Sequence, residues 1–462
     1  MMLVTTDNTS RALNTDSLED KKVVSDLSVI ANQSIAELAK VHPDLLIFPD
    51  NFEINADDIS KSAIFELKLQ GSKMILETGN IMGFIGVQET QLKIQSRFAP
   101  AFDNSQEDYF LHYMLHKVLK FNVLDLKHSR SQTNIFDFLV YLFVYYLKKA
   151  LSQGLYKAYQ RRRYNDSNLK GVIDIQTHVK RNQPFQGNMA YMVREYSFDN
   201  PITQLVRHTI ELIKQKPDLR DVLHSDSDTL DSVNLIVQHT PSYHVRERQT
   251  IIHANRKPFV HPYFTEYTYL QKICLQLLRY EGLKYAKSKD KAYGVLFDGA
   301  WLWEEYLNTL LHPIGYEHPT NNNRRGGINV YAIKCAGNNV RRFPDFVKLG
   351  LEYDKKVILD AKYKRMKDNK INRDDLNQMI SYLYLYQANR GGFIAPSENE
   401  NISLKMGVLN GYGGDVYKFK LAIPQAVSSY QQFKTAIEQN ERNLIEVIKQ
   451  LSVDQSEGVV AY

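Results

Sequence analysis

The sequence is poor in the residues that staple small domains together. Only two of its 462 residues are cysteine, Cys274 and Cys335, far apart and outside any CxxC pair. That excludes a disulfide scaffold and a zinc ribbon and fits a reducing, cytoplasmic setting. Long apolar runs are missing too. The most apolar stretch, Phe138–Leu147, is ten residues set between Asp137 and Lys148-Lys149. A spanning helix needs about 20, so this is expected to be a buried helix, with no membrane as partner. No charged segment followed by an apolar one opens the chain, so no signal peptide is expected. The histidines form no HExxH motif, and no GxxxxGK[ST] loop is present, so neither zinc proteolysis nor nucleotide hydrolysis by this chain is expected. Internal repeats are absent.

What is present suits a globular protein. The length predicts about three domains, and 43% hydrophobic residues suffice to bury real cores. The net charge of +6 is weak for this length, but its distribution is uneven. Residues 324–373 hold 14 Lys and Arg against 5 Asp and Glu, a net +9 that leaves the remainder at −3. Such an island is either a solvated face or a surface for a polyanion.

Residues 1–25 are rich in Asp, Ser, Thr and Asn and are expected to be a flexible tail. From 26 to 165, short β-type runs (Ala63–Leu69, Met74–Glu77, Gly83–Val87, Leu92–Ile94) precede helical patterns at Glu107–Val118 and Asn134–Gly154. Arg161-Arg162-Arg163 then reads as a contact to a partner or to DNA, or as a basic helix end favoured by the helix dipole. Residues 166–287 are a helical middle region. It has a short strand at Leu169–Ile175, a helix start at Asp199-Asn200-Pro201, a polar, turn-rich stretch at 217–258 and a helix at Tyr267–Glu281. After a linker at Ser288–Lys291, residues 288–462 run helix (Gly299–Leu311), polar loop (Thr320–Gly327), β-type runs (Ile328–Lys334, Phe343–Leu351, Lys356–Tyr363), helix (Asp374–Ala388), further β-type runs and a last helix, Ala426–Leu451. The expected class is α+β and multidomain, with an N-terminal β-rich module, a helical middle and a C-terminal α/β domain.

The chemistry concentrates in Arg342-Phe343-Pro344-Asp345-Phe346-Val347 and Val357-Ile358-Leu359-Asp360-Ala361-Lys362. Asp360 and Lys362 are two apart on a strand and share a face. A hairpin turning near Asp354-Lys355 would bring Asp345 to Asp360. Two buried carboxylates repel unless a cation or a proton joins them. Oxygen ligands favour Mg²⁺ or Mn²⁺, and Lys362 beside them can orient water and offset phosphate charge. The plainer alternative is a strand end with a salt-bridged Asp–Lys pair. Gln378 and Tyr382, four apart, share the face of the next helix. Glu304 and Glu305 lie on the helix before, and spacing alone does not separate them.

Pro-Asp followed by Asp-x-Lys resembles the PD-(D/E)xK nucleases, and Gln-x-x-x-Tyr resembles their RecB-like members. More closely, Ile358–Lys364, Asp375–Tyr382 and Leu302-Trp303-Glu304-Glu305-Tyr306 resemble the McrC family, the nuclease subunit of McrBC-type modification-dependent restriction systems. Lys170–Asp174, Lys180-Arg181-Asn182, Asp199–Leu205 and, loosely, Gly83–Ile94 extend the likeness over most of residues 60–395. The resemblance implies a PD-(D/E)xK core in 288–462 and a Mg²⁺-dependent DNA endonuclease. It implies a metal held by Asp345, Asp360 and, rather than Glu305, Glu304. Lys362 would be catalytic, with Gln378 and Tyr382 supporting the site or the DNA backbone. It also implies a hetero-oligomer with a McrB-like AAA+ GTPase ring, contacted through about residues 30–165 and stimulated by this chain, while the ring reads the 5-methylcytosine-type mark. The alternatives are a stand-alone RecB-like repair nuclease and a non-catalytic scaffold that activates the GTPase.

Overall fold

The computed structural model describes residues 2–14, 17–42, 45–49, 61–71, 73–88, 90–99, 108–119, 135–217, 219–283, 292–319, 327–333, 335, 340–349, 356–367, 370–411 and 413–451. The chain forms two compact units, Met1–Leu124 together with Ser288–Tyr462, and Asp125–Lys287. The class is mixed α/β with several sheets. No described helix is long and apolar enough to cross a membrane.

The first unit begins with β1 (Met2–Thr6), β2 (Ser10–Leu13), α1 (Leu18–Leu27), α2 (Ile35–Val41), β3 (Leu45–Phe48), β4 (Phe65–Gln70), β5 (Lys73–Thr78), β6 (Ile81–Val87), β7 (Thr90–Gln95) and α3 (Tyr109–Leu119). The flexible tail expected over residues 1–25 is corrected here. β1 pairs parallel with β7, and β2 pairs antiparallel with β5. Leu3 and Thr5 point inward from β1, and Leu13, Val23 and Leu27 join the core. Asp7 follows β1 fully buried and accepts from the Arg97 backbone N–H (2.5 Å) and from its Nε (2.8 Å). A buried carboxylate is tolerated because it is paired and hydrogen-bonded.

The second unit runs α4 (Ile135–Ser152), β8 (Ala158–Asp166), β9 (Val172–Ile173), α5 (Ile175–Arg181), β10 (Met189–Ser197), α6 (Pro201–Lys214), α7 (Ser227–His239), α8 (Arg248–Ala254) and α9 (Glu266–Leu283). Its three strands order β8-β10-β9, and α4 and α6 pack on α9. The helix start read at Asp199-Asn200-Pro201 is present. Asn200 accepts from the N–H groups of Ile202 and Thr203, Thr203 Oγ1 accepts from the Asn200 N–H, and Pro201 opens the first turn. Asn200→Ala is expected to destabilise this unit by about 1 kcal/mol, read as a lower urea midpoint.

Two expectations differ in this unit. The polar stretch 217–258 contains α7, capped by Asp226, and α8. Each buries few residues (Thr229, Val233 and Ile236 on α7, Ile252 on α8), so the apolar period is faint. Arg161–Arg163 lie on β8, past the end of α4 at Ser152, so the helix dipole has no part in their placement. Arg161 and Arg163 face outward, and Arg162 turns inward to Asp199 at 3.2 Å. The strand expected at Leu169–Ile175 shortens to β9.

The chain then returns to the first unit through β11 (Ala292–Asp298), which completes a five-stranded sheet of order β1-β7-β6-β11-β3. Of the two linear boundaries, 287/288 coincides with the end of the second unit, whereas 165/166 falls inside it, and residues 288–462 share their unit with the N-terminal segment. β11 runs antiparallel to β6, and Gly83 permits their approach. Its φ is +128°, and a Cβ there would stand 2.2 Å from the Val295 carbonyl oxygen. The remaining elements are α10 (Gly299–Leu311), β12 (Ile328–Asn329), β13 (Arg341–Arg342), β14 (Phe346–Lys348), β15 (Val357–Ala361), α11 (Arg373–Tyr386), β16 (Arg390–Ser397), β17 (Ile402–Val408), β18 (Asp415–Ala422) and α12 (Tyr430–Gln450). They build a second five-stranded sheet of order β14-β15-β16-β18-β17, in which β15, β16 and β18 are parallel. α11 lies on this sheet over Gly391, where a Cβ would stand 2.5 Å from Met379 Sδ. The strands expected at Ile328–Lys334 and Phe343–Leu351 are shorter than their sequence patterns. The linker at 288–291 and loop residues 320–326 lie outside the described residues.

Candidate active site

β14 and β15 pair antiparallel with Phe346 opposite Leu359 and Val347 opposite Ile358. One step further along that register sets Asp345 against Asp360, as the expected hairpin requires; its turn, 350–355, lies outside the described residues. Asp360 is 1% exposed at the buried end of β15. Asp345 Oδ2 accepts from the Ala361 N–H at 2.6 Å. Burial, followed by the charge of Asp360, keeps Asp345 well above the ordinary carboxylate range. Burial raises Asp360 as well, against the pull of Lys362.

Glu304 comes from α10, whose first turn is capped by Asp298 accepting from the Ala300 N–H. Burial raises its carboxyl well above the usual value, and the charges of Asp345, Asp298 and Asp360 add to that. The negative charge of Asp345 and Asp360 thus bears on Glu304 from the strand pair. The next residue, Glu305, lies 4.0 Å from His318 Nε2. His318 Nδ1 is 2.5 Å from the Asp345 carbonyl oxygen and its ring stacks on Phe346 at 5.0 Å. A carbonyl only accepts, so the proton sits on Nδ1. His318 belongs to no sequence motif. The pairing of Glu317 with Val347 brings it beside Asp345.

Lys362 emerges from β15 with its side chain 18% exposed and Nζ 2.6 Å from Asp360 Oδ2. Burial works against its charge, but Asp360, Asp345 and Asp375 outweigh burial and lift its pKa above the ordinary lysine value. It is an ammonium at neutral pH. Nζ also donates to Gln378 Oε1 (2.9 Å), Gln378 Nε2 donates to the Tyr382 hydroxyl (2.9 Å), and that hydroxyl donates to the Phe343 carbonyl (3.0 Å). This chain of bonds ties α11 to the lysine and to the segment leading into β14. Lys362, Gln378 and Tyr382 are thus brought together with Asp345, Asp360 and Glu304. Asp375 in the first turn of α11 is a member that motif reading passes over. It lies 2.6 Å from Lys364 and 3.9 Å from Lys362. Its spacing three before Gln378 puts it on the same helix face, which is the signal that would have found it.

The donor set suits a hard divalent cation, since every candidate donor is oxygen. Asp360 Oδ2 is buried and accepts no well-aligned hydrogen bond, its ionic contact with Lys362 aside. The mutual repulsion of the three carboxyls is what such a cation relieves. As it stands, no group of three or more His, Cys, Asp or Glu among the described residues is already disposed around an ion position.

The sequence profile described as McrBC 5-methylcytosine restriction system component matches residues 76–396. No curated protein matches the sequence. Among solved structures, one chain of a refined half-complex from a tetradecameric assembly of Thermococcus gammatolerans McrB AAA+ hexamers with bound McrC superimposes with a TM-score of 0.54 at 15% identity. That match covers 97% of this chain and 100% of that one, a likeness of fold. A chain of the cryo-EM structure of the Thermococcus gammatolerans McrBC complex matches at a TM-score of 0.34 and 14% identity, over 68% of this chain and 87% of that one, too low to bear on the fold. The match to the profile covers well over half of the sequence, and the chain belongs to the family of McrBC 5-methylcytosine restriction system components.

Proposed function

We propose that the chain is the McrC-like DNA endonuclease subunit of a modification-dependent restriction complex, with a core of PD-(D/E)xK type built on β14, β15, β16 and α11. The observation that carries this reading is the β14–β15 register that sets Asp345 against buried Asp360, with Lys362 Nζ 2.6 Å from Asp360 and 2.9 Å from Gln378. The sequence window that contains Asp345, Asp360 and Lys362, residues 324–373, carries a net +9, which favours a polyanionic partner.

Asp345 and Asp360, with Glu304, would hold Mg²⁺ or Mn²⁺. When bound, the cation supplies charge stabilisation at the phosphoryl oxygens and lowers the pKa of water. Lys362 orients the attacking water and offsets charge building on phosphorus. Gln378 and Tyr382 hold that ammonium in place. His318 holds the Asp345 backbone. Family membership, and a fold shared with a chain of an assembly of McrC bound to McrB AAA+ hexamers, support an AAA+ GTPase ring as partner. This chain would stimulate its GTP hydrolysis, in the cytoplasm where foreign DNA is met.

Cleavage of cytosine-methylated DNA tests the reading. Cutting is expected only with this chain, the ring, GTP and Mg²⁺ together, with EDTA abolishing it and excess Mg²⁺ restoring it. Robust cutting by the pure chain without GTP would instead make it a stand-alone nuclease. Stimulated GTP hydrolysis with no cutting would make it a scaffold.

A further inference from the structure

Lys364 and Asp375 have no part in the roles set out above, yet they adjoin Lys362. The chain turns sharply after β15: the Lys364 N–H donates to the Lys362 carbonyl at 2.9 Å. That turn sends the Tyr363 ring into the core, where its hydroxyl meets Ser96 Oγ at 2.8 Å. The two lysines converge instead on one carboxylate. Asp375 Oδ2 receives Lys364 Nζ at 2.6 Å, and its Oδ1 faces Lys362 Nζ at 3.9 Å. Asp375 is itself buried, so a single acidic group on α11 sets both cations. The Lys364 side chain remains 38% exposed, against 18% for Lys362. It is the more accessible of the two to a polyanion.

We infer that Lys364 is a second phosphate-binding cation of this site and that Asp375 is the positioning residue that holds Lys364 beside Lys362. The inference rests on the nuclease reading and deepens it. Lys362 is engaged by Asp360 and Gln378, whereas Lys364 has solvent to one side and can contact the backbone next to the bond being cut. Its contribution is to bind DNA, so it belongs in KM. Asp375 acts through the lysines and belongs in both KM and kcat.

The experiment uses the full chain with its ring partner. It measures binding of a short fluorescent DNA duplex by anisotropy over a salt series, and cleavage kinetics on methylated DNA. Lys364→Ala is expected to raise KM and the duplex Kd about fivefold, to leave kcat within twofold and to reduce the salt slope by about one. Asp375→Asn is expected to lower kcat at least tenfold and raise KM, with Asp375→Glu recovering most of both and an unchanged Tm throughout. A merely structural Asp375 would lower Tm and would not show that split. Wild-type binding and kinetics in Lys364→Ala, or in Asp375→Asn, would overturn this inference and leave the nuclease reading standing. If the wild-type complex neither binds nor cuts DNA, the nuclease reading fails and this inference fails with it.

Discussion

Lys362→Ala is expected to lower DNA cleavage by the assembled complex about 10³-fold while leaving assembly with the ring intact. The size follows from what the ammonium touches. It stands 2.6 Å from Asp360 and 2.9 Å from Gln378, and no other cation stands as close to Asp360 among the described residues. Loss of one well-placed charge-stabilising group costs about 10²–10³ in kcat, and here the group that orients the water goes with it. Removal also leaves Asp360 buried without its partner, which on its own destabilises the fold. Lys362→Met, which keeps the apolar stem, and a melting curve for each variant separate chemistry from folding. Because chemistry and not binding is removed, kcat falls and KM for DNA holds. Cleavage within tenfold of wild type, with the variant folded, would remove Lys362 from the mechanism.

The second large effect is one of stability. Asp7→Ala is expected to destabilise the first unit by about 3–5 kcal/mol, because it strands the Arg97 guanidinium in the interior. Arg97 is 8% exposed, donates to both Asp7 and Asn80, and lies over the Tyr363 ring at 4.9 Å. Replacing both partners, Asp7→Leu with Arg97→Met, is expected to recover most of the loss, since an apolar pair carries no desolvation penalty. The measurement is the urea midpoint of the first unit's transition, followed by the fluorescence of buried Trp303. An Asp7→Ala midpoint equal to wild type would return residues 1–25 to the status of a loose tail.

These two sites also show what sequence could and could not disclose. The Asp345, Asp360 and Lys362 group was legible because its geometry is local. One hairpin register and one same-face spacing fix all three, and Gln378 and Tyr382 follow from the period of a single helix. Helices α4, α6 and α10 were legible from continuous apolar faces or a strong cap. β1 was not, because only Leu3 and Thr5 point inward from it and its partner β7 lies some ninety residues on. His318 was hidden for the same reason: a backbone bridge to Val347 places it, and no pattern announces such a bridge. The inner face of Arg162 depends on Asp199, across a strand pairing that spacing does not reveal.

The placement of β11 governs the order in which the protein can be made. Its neighbours β6 and β3 leave the ribosome about 200 residues before it does. At about 5–20 residues per second, the gap between them waits roughly 10–40 s. During that interval two strands stand with open edges, one of them the wholly apolar Leu45–Phe48. Residues 125–287 can settle as a unit in the meantime. The nascent N-terminal half therefore keeps unpaired strand edges until β11 is made, and Asp345, Asp360 and Lys362 emerge only after that strand.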